Sequence, residues 1–206
     1  MLSLIGREVY DHLVYVLACC LVSAITIGVM ILTSVSGIVQ AAYVSSTILM
    51  LVLFVGLCAL GAAQMYGDRA NRISALLSTL AVTRSRILAA RVLVGVLTLL
   101  ASLIPVLIAA LILLSLAALP AAFYPRMIWE VSAAVALTGF ACYCIGLEIG
   151  WTTSKTWLIL GSFLLVALLA SLVFAKGPGL EAIAILLLFI AAMLVHTWHK
   201  FTSASF

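Results

Sequence analysis

Charge is what this sequence most conspicuously lacks. Only 8% of its 206 residues are charged, whereas 67% are hydrophobic. A soluble domain is typically about half apolar and about a quarter charged. A chain of this composition cannot cover a water-facing surface with polar side chains, which excludes a soluble globular domain and makes lipid the expected solvent.

Alternation of apolar and polar residues is also missing. Backbone groups in lipid must find hydrogen bonds within the protein, so only helices and closed barrels cross a bilayer. Barrel strands alternate, but the apolar runs here are continuous. We therefore predict an all-α polytopic membrane protein whose single domain covers residues 1–206.

Six runs approach or exceed the roughly 20 residues that cross a bilayer, and they cover residues 13–32, 44–64, 92–118, 131–150, 157–175 and 180–196. Pro105 is predicted to kink the third.

The basic residues are divided unevenly between the two sides that these six spans define. One side carries Arg7, Arg69, Arg72, Arg84, Arg86, Arg91, Lys155 and Lys200, and the other carries only Arg126 and Lys176. Because Lys and Arg are enriched in cytoplasmic loops, both termini are predicted to face the cytoplasm. Residues 1–12 are interpreted as an amphipathic helix on the inner leaflet, with a plain polar flank as the alternative.

Signatures of catalysis and of cofactor binding are scarce. The five cysteines lie within apolar runs, where a free cysteine behaves as a small hydrophobe. The chain has neither a G-x-x-x-x-G-K-[ST] sequence for nucleotide phosphates nor a nucleophile motif or paired aspartates, so we expect no enzyme and no cofactor. His196 and His199 are interpreted as interfacial residues rather than as haem or metal ligands. The net charge of +4 reflects the inner-leaflet excess and requires no nucleic-acid partner.

The segment between the second and third spans, residues 66–91, is too polar for lipid and too long for a simple hairpin. Apolar residues recur there at i, i+3, i+4 and i+7, which predicts an amphipathic helix over residues 68–80. The stripe comprises Ile73, Leu76, Leu77 and Leu80, with Asp68 as the helix start, Arg69 and Arg72 away from the stripe, and Arg84 and Arg86 opening the third span. Its apolar face is available to the bundle or to another protein. The alternative is that the arginines only determine topology beside anionic lipid.

One carboxylate interrupts the fourth span. Burying Glu148 in lipid costs at least a few kcal/mol, and Lys155 lies two turns further along the same helix face. Two interpretations stay open, an interfacial ion pair and a bundle-facing residue at a subunit contact or conduit. Gly146 and Gly150 flank Glu148 and would allow another helix to approach closely.

This pattern resembles the permease subunit of ATP-binding-cassette (ABC) transporters of the type-2 exporter class. Such permeases have six spans, both termini inside, an N-terminal interfacial helix and a cytoplasmic helix between spans two and three. That loop usually carries an acidic residue, a Leu-Leu pair, a break and a basic pair, here matched by Asp68, Leu76-Leu77, residues 81–83 and Arg84/Arg86. Residues 6–13 are similar to the opening of permeases linked to multicopper-enzyme maturation. Ala81 departs from the family, in which proline is common at the break.

The resemblance implies a mechanism and a set of partners. A separate ATPase would dock on residues 66–91, with Asp68, Arg69, Arg72, Ile73, Leu76, Leu77, Leu80, Arg84 and Arg86 coupling it to the spans. A second permease subunit, identical or related, would complete the transporter in a bacterial-type plasma membrane, surrounded by membrane lipids. The alternative function is a non-transporting anchor or assembly subunit of a larger membrane complex.

Overall fold

The computed structural model describes residues 6, 9–36, 39–71, 84–116, 124–151 and 180–203. Within these ranges the chain is helical except for a turn at His12. Five long helices follow one another: α1 (Leu13–Ser36), α2 (Val39–Asn71), α3 (Arg84–Leu116), α4 (Tyr124–Trp151) and α5 (Leu180–Ser203). The all-α prediction is therefore confirmed for the described part of the chain.

All five helices are long and apolar enough to cross a membrane. They correspond to the first four predicted spans and to the sixth, whereas the fifth, at residues 157–175, lies outside the described residues. Large apolar side chains are exposed along them, for example Leu21 on α1 and Leu188 on α5. Such surfaces are unfavourable in water and ordinary in lipid. The chain is a helical integral membrane protein.

The helices extend beyond the predicted spans at several ends. α2 begins before residue 44 and continues past residue 64 to Asn71, and α3 starts at Arg84 rather than at residue 92. Hydropathy detects only the part of a helix that is apolar, whereas backbone hydrogen bonding continues until a residue breaks it. The prediction that a separate helix starts at Asp68 was wrong, because α2 continues through that residue. Gly67 costs a helix only about 1 kcal/mol, which is too little to end α2 there.

The N-terminal segment is described only in part. Gly6 and residues 9–11 are helical, and the turn at His12 separates them from α1. The carbonyl of His12 accepts hydrogen bonds from the amides of Tyr15 and Val16, at 3.0 and 3.2 Å. This turn begins α1, while the remainder of the predicted interfacial helix over residues 1–12 lies outside the described residues.

α4 is the central helix of the bundle. In an 18-residue apolar stretch within Trp129–Gly150, 61% of the residues are buried, against 17–28% in the corresponding 18-residue stretches of the other four helices. It packs most extensively against α2 and also against α5 and α3. In the second half of α4, all of residues 141–147 are buried.

Three glycines bring the backbones of α2 and α4 into direct contact. A Cβ atom on Gly61 of α2 would lie 2.5 Å from the carbonyl oxygen of Tyr143. On α4, a Cβ on Gly146 would overlap the carbonyl of Cys58, and one on Gly150 would overlap the carbonyl of Ala62. Helices in membranes associate through such close packing, because lipid tails are as apolar as the side chains they would replace. The glycines therefore determine how closely α2 and α4 approach.

Hydroxyl groups inside the spans are satisfied locally. Thr26, Thr98 and Thr138 each donate to the carbonyl four residues earlier in their own helix, at 2.7–2.9 Å. Ser23 instead links two helices, donating to the carbonyl of Ser102 on α3 at 2.6 Å. Pro105, three residues further along α3, has no N–H to donate to the carbonyl of Ala101. α3 nevertheless remains one helix across Pro105.

The glycine contact predicts a clear difference between two alanine substitutions. Gly146→Ala should destabilise the folded bundle by about 1–3 kcal/mol, the usual cost of overpacking a well-packed interior. Gly28→Ala on α1 is the matched control, because a Cβ there has no atom within 4 Å. Reversible unfolding in mixed detergent micelles measures both. Equal stability of the two variants would contradict the close approach of α2 and α4.

Candidate functional site

Polar side chains converge at one end of the bundle, which we call the loop end. It is the end at which α2 stops at Asn71 and α3 starts at Arg84, so residues 72–83 connect the helices there. Tyr143, near the C-terminus of α4, contacts both of these helices. The C-terminal part of α5 reaches the same end through Lys200, which bonds Glu148 of α4.

Tyr143 is the centre of a buried hydrogen-bonded cluster, the tyrosine cluster, formed with Gln64 and Arg91. Its hydroxyl oxygen lies 2.6 Å from Oε1 of Gln64 on α2 and 2.8 Å from the backbone carbonyl oxygen of Arg91 on α3. All three residues are almost fully buried. A buried polar group costs free energy unless it is hydrogen-bonded, so this arrangement ties three helices together where lipid offers no alternative partner.

Arg91 is the buried cation of the tyrosine cluster. Only 3% of its surface is exposed, whereas Arg86, near the start of the same helix, is exposed. One guanidinium nitrogen of Arg91 donates to the sulfur of Met65 at 3.5 Å. The Arg91 side chain of α3 therefore contacts α2 directly, at Met65. The Arg91 carbonyl is connected to α2 indirectly, because Tyr143 lies between it and Gln64.

Glu148 forms a second polar contact, the α4–α5 ion pair. Its side chain is 16% exposed and accepts a hydrogen bond from the ammonium group of Lys200. Thr197, on the preceding turn of α5, places its hydroxyl 3.5 Å from the other carboxylate oxygen. Nε2 of His196 lies 3.6 Å from Glu148. Glu148 therefore points from α4 towards α5 and is balanced by a cation on that helix.

The residues predicted from the sequence are distributed unevenly over this site. Glu148, Gly146 and Gly150 lie on α4 at the loop end, and the backbones of Asp68 and Arg69 belong to the last turns of α2. Arg84 opens α3 and Arg86 follows it. Arg72, Ile73, Leu76, Leu77, Leu80 and Lys155 lie outside the described residues. The structure thus describes both flanks of the predicted coupling segment but not its apolar stripe.

Several residues of the site were missed by sequence reasoning. Lys155 is the partner of Glu148 that the sequence suggests, whereas the structure supplies Lys200 from a helix far away in the chain. Arg91 was counted only as a topology determinant, and neither Gln64 nor Tyr143 was singled out. Gln64 is the last residue of the predicted span 44–64 and Arg91 precedes the predicted span 92–118, so neither position signals burial within the bundle.

The chemistry of this site is hydrogen bonding and charge pairing between helices. Among the described residues, no group of three or more His, Cys, Asp or Glu side chains is placed to hold a metal ion. Comparison with protein-family models, with curated proteins and with solved structures found no match for this chain.

The α4–α5 ion pair predicts non-additive effects on stability. Glu148→Gln and Lys200→Met should each destabilise the bundle by on the order of 1 kcal/mol, since the pair is partly screened by solvent. The double variant should lose less than the sum, because removing both partners leaves no unpaired charge.

Glu181→Gln is the control for this cycle, because it removes an exposed carboxylate from the other end of α5. The same micelle unfolding assay measures all four variants. Strict additivity of Glu148→Gln and Lys200→Met would show that the two side chains do not interact.

Proposed function

We propose that this chain is the permease subunit of an ATP-driven exporter of the type-2 ABC class, and that a separate ATPase docks on residues 66–91. The observation that carries the proposal is the anchoring of this segment. Both helices that flank it, α2 and α3, are held on α4 by the tyrosine cluster. A partner that moves the segment would therefore act on three helices at once.

The helices that flank the segment are suited to transmitting force. α2 continues as helix to Asn71, beyond the apolar stretch that ends at Gly67. α3 is helical from Arg84 onwards. An α-helix is stiff over such distances, whereas an irregular loop would absorb the movement. The two extensions leave only residues 72–83 to complete the docking surface.

The transporter model requires six spans with both termini in the cytoplasm, and we assign the missing span to residues 157–175. The C-terminal parts of α4 and α5 meet at the loop end, so the chain between Trp151 and Leu180 has to return to the opposite end before α5 begins. A helix of the apolar run 157–175 would be about 30 Å long, which matches the hydrocarbon thickness.

The loop end then faces the cytoplasm. Basic residues concentrate there, as the positive-inside rule requires. In this orientation the α4–α5 ion pair and the tyrosine cluster lie near the inner leaflet, beside the proposed ATPase. A second copy of the chain, or a related permease, would supply the other half of the transport path.

Two charge substitutions on the predicted stripe test the docking. Leu76→Asp/Leu77→Asp should abolish recovery of an ATPase subunit when the tagged chain is purified in mild detergent, because carboxylates cannot pack in an apolar groove. Ser74→Asp/Ser78→Asp is the matched control, since it adds the same charge to the same segment on the face away from the stripe. Co-purifying ATPase activity is the measurement.

The outcomes separate the candidate functions. ATPase activity with the wild type and the serine variant, but not with the leucine variant, supports the proposal. A stable chain that recovers no ATPase in any form contradicts it and favours the membrane anchor or assembly subunit. ATPase recovered equally with all three forms would move the docking surface away from residues 76 and 77.

A further inference from the structure

We propose that Tyr143 is the positioning residue through which movement of residues 66–91 reaches the central helix of the bundle. This inference rests on the proposed function, because it takes the docked ATPase as the source of the movement. It adds one specific side chain, which sequence reasoning did not single out.

The hydroxyl of Tyr143 is shared between the two flanks of the docking segment. It lies within hydrogen-bonding distance of Gln64 on α2 and of the Arg91 carbonyl on α3. A phenol has one hydrogen and can donate to only one of these oxygens at a time. A displacement of α2 relative to α3 therefore changes the hydrogen bonding that holds α4 at this level.

The rest of Tyr143 is wedged between the same two helices. A Cβ on Gly95 of α3 would overlap the Tyr143 ring, and one on Gly61 of α2 would lie 2.5 Å from the Tyr143 carbonyl oxygen. The ring also stacks on Phe140, with centroids 6.0 Å apart and planes 18° apart. Tyr143 thus cannot stay in place if either α2 or α3 shifts at this level, and α4 has to follow.

The amide of Gln64 is only partly satisfied at this contact. Its Nε2 atom is buried and has no hydrogen-bond partner among the described residues, although Gln64 is only 1% exposed. An unpaired buried donor destabilises the conformation that contains it.

Movement of α4 passes directly to α5. Glu148 lies just over one helical turn beyond Tyr143 on α4, and it bonds Lys200 and contacts Thr197 on α5. The inferred route is therefore from residues 66–91 to Tyr143, along α4, and through the α4–α5 ion pair to α5. A measurement of movement along this route tests the coupling.

The test is hydrogen exchange of the purified complex in lipid nanodiscs, measured by mass spectrometry with and without a non-hydrolysable ATP analogue. Tyr143→Phe keeps the ring against Gly95 and removes only the hydroxyl. Tyr10→Phe is the matched control, because the same hydroxyl is removed from an exposed side chain. We expect the analogue to change the exchange of α4 and of the C-terminal half of α5 in the wild type and in Tyr10→Phe. This change should be lost in Tyr143→Phe while the ATPase stays bound.

Each other outcome overturns a distinct statement. An unchanged nucleotide response in Tyr143→Phe overturns the role of Tyr143 and leaves the proposed function intact. A wild-type complex whose α4 does not respond to the nucleotide, although the ATPase is bound, also overturns the inference. Absence of any bound ATPase in the wild type overturns the proposed function itself.

A second variant distinguishes a lost nucleotide response from a folding defect. Gln64→Met preserves the length of the side chain and removes both the acceptor of the Tyr143 hydroxyl and the unpaired amide nitrogen. It should fold at least as stably as the wild type and still lose the nucleotide-dependent change in α4. A Gln64→Met complex that responds like the wild type would contradict the inference independently of Tyr143→Phe.

Discussion

Contact between the backbones of α2 and α4 is the constraint on which the other features depend. The hydrophobic effect that assembles a soluble core is absent between helices in lipid, so association depends on close packing and on polar contacts. Gly61, Gly146 and Gly150 make that packing possible by leaving room for backbone atoms of the opposite helix. With α4 held in this position, its Tyr143 reaches α3 and its Glu148 reaches α5.

Polar contacts add to the close packing that the glycines allow. Within the spans, the Ser23 hydroxyl of α1 donates to the backbone carbonyl of Ser102 on α3, whereas the charged groups gather at the loop end. Charge is tolerated there because the helix ends approach water and headgroups. The only cation that is deeply buried among the described residues, Arg91, lies near the start of α3, the helix that follows residues 72–83. Close packing therefore holds the interior of the bundle together, and charged groups distinguish its loop end.

Much of this architecture follows from the sequence. Continuous apolar runs predicted the helical class and the approximate positions of α1 to α5. Gly146 and Gly150 were predicted to allow close approach, but their spacing does not say which helix fills the space. The partner of Glu148 was not predictable either. Lys155 is near in sequence, while Lys200 becomes a neighbour only when α5 packs beside α4.

The tyrosine cluster was not predictable from the sequence either. Gln64 and Arg91 stand at the edges of apolar runs, where polar residues usually face headgroups, so position alone gave no reason to bury them. Tyr143 was hidden among the apolar residues of α4. Its role depends on the absence of a side chain at Gly95, on a different helix. Helix ends were misjudged for a simpler reason: hydropathy falls where the lipid ends, while α2 and α3 continue as helices towards residues 72–83.

The most direct measurement of the central claim is site-specific photo-cross-linking of the intact complex in its native membrane. A photoreactive phenylalanine analogue at position 77 would be compared with the same analogue at position 129, which is exposed at the opposite end of the bundle. The account predicts that position 77, but not position 129, cross-links to a nucleotide-binding ATPase subunit. Cross-links from position 77 only to other membrane proteins, with no ATPase among the products, would contradict it.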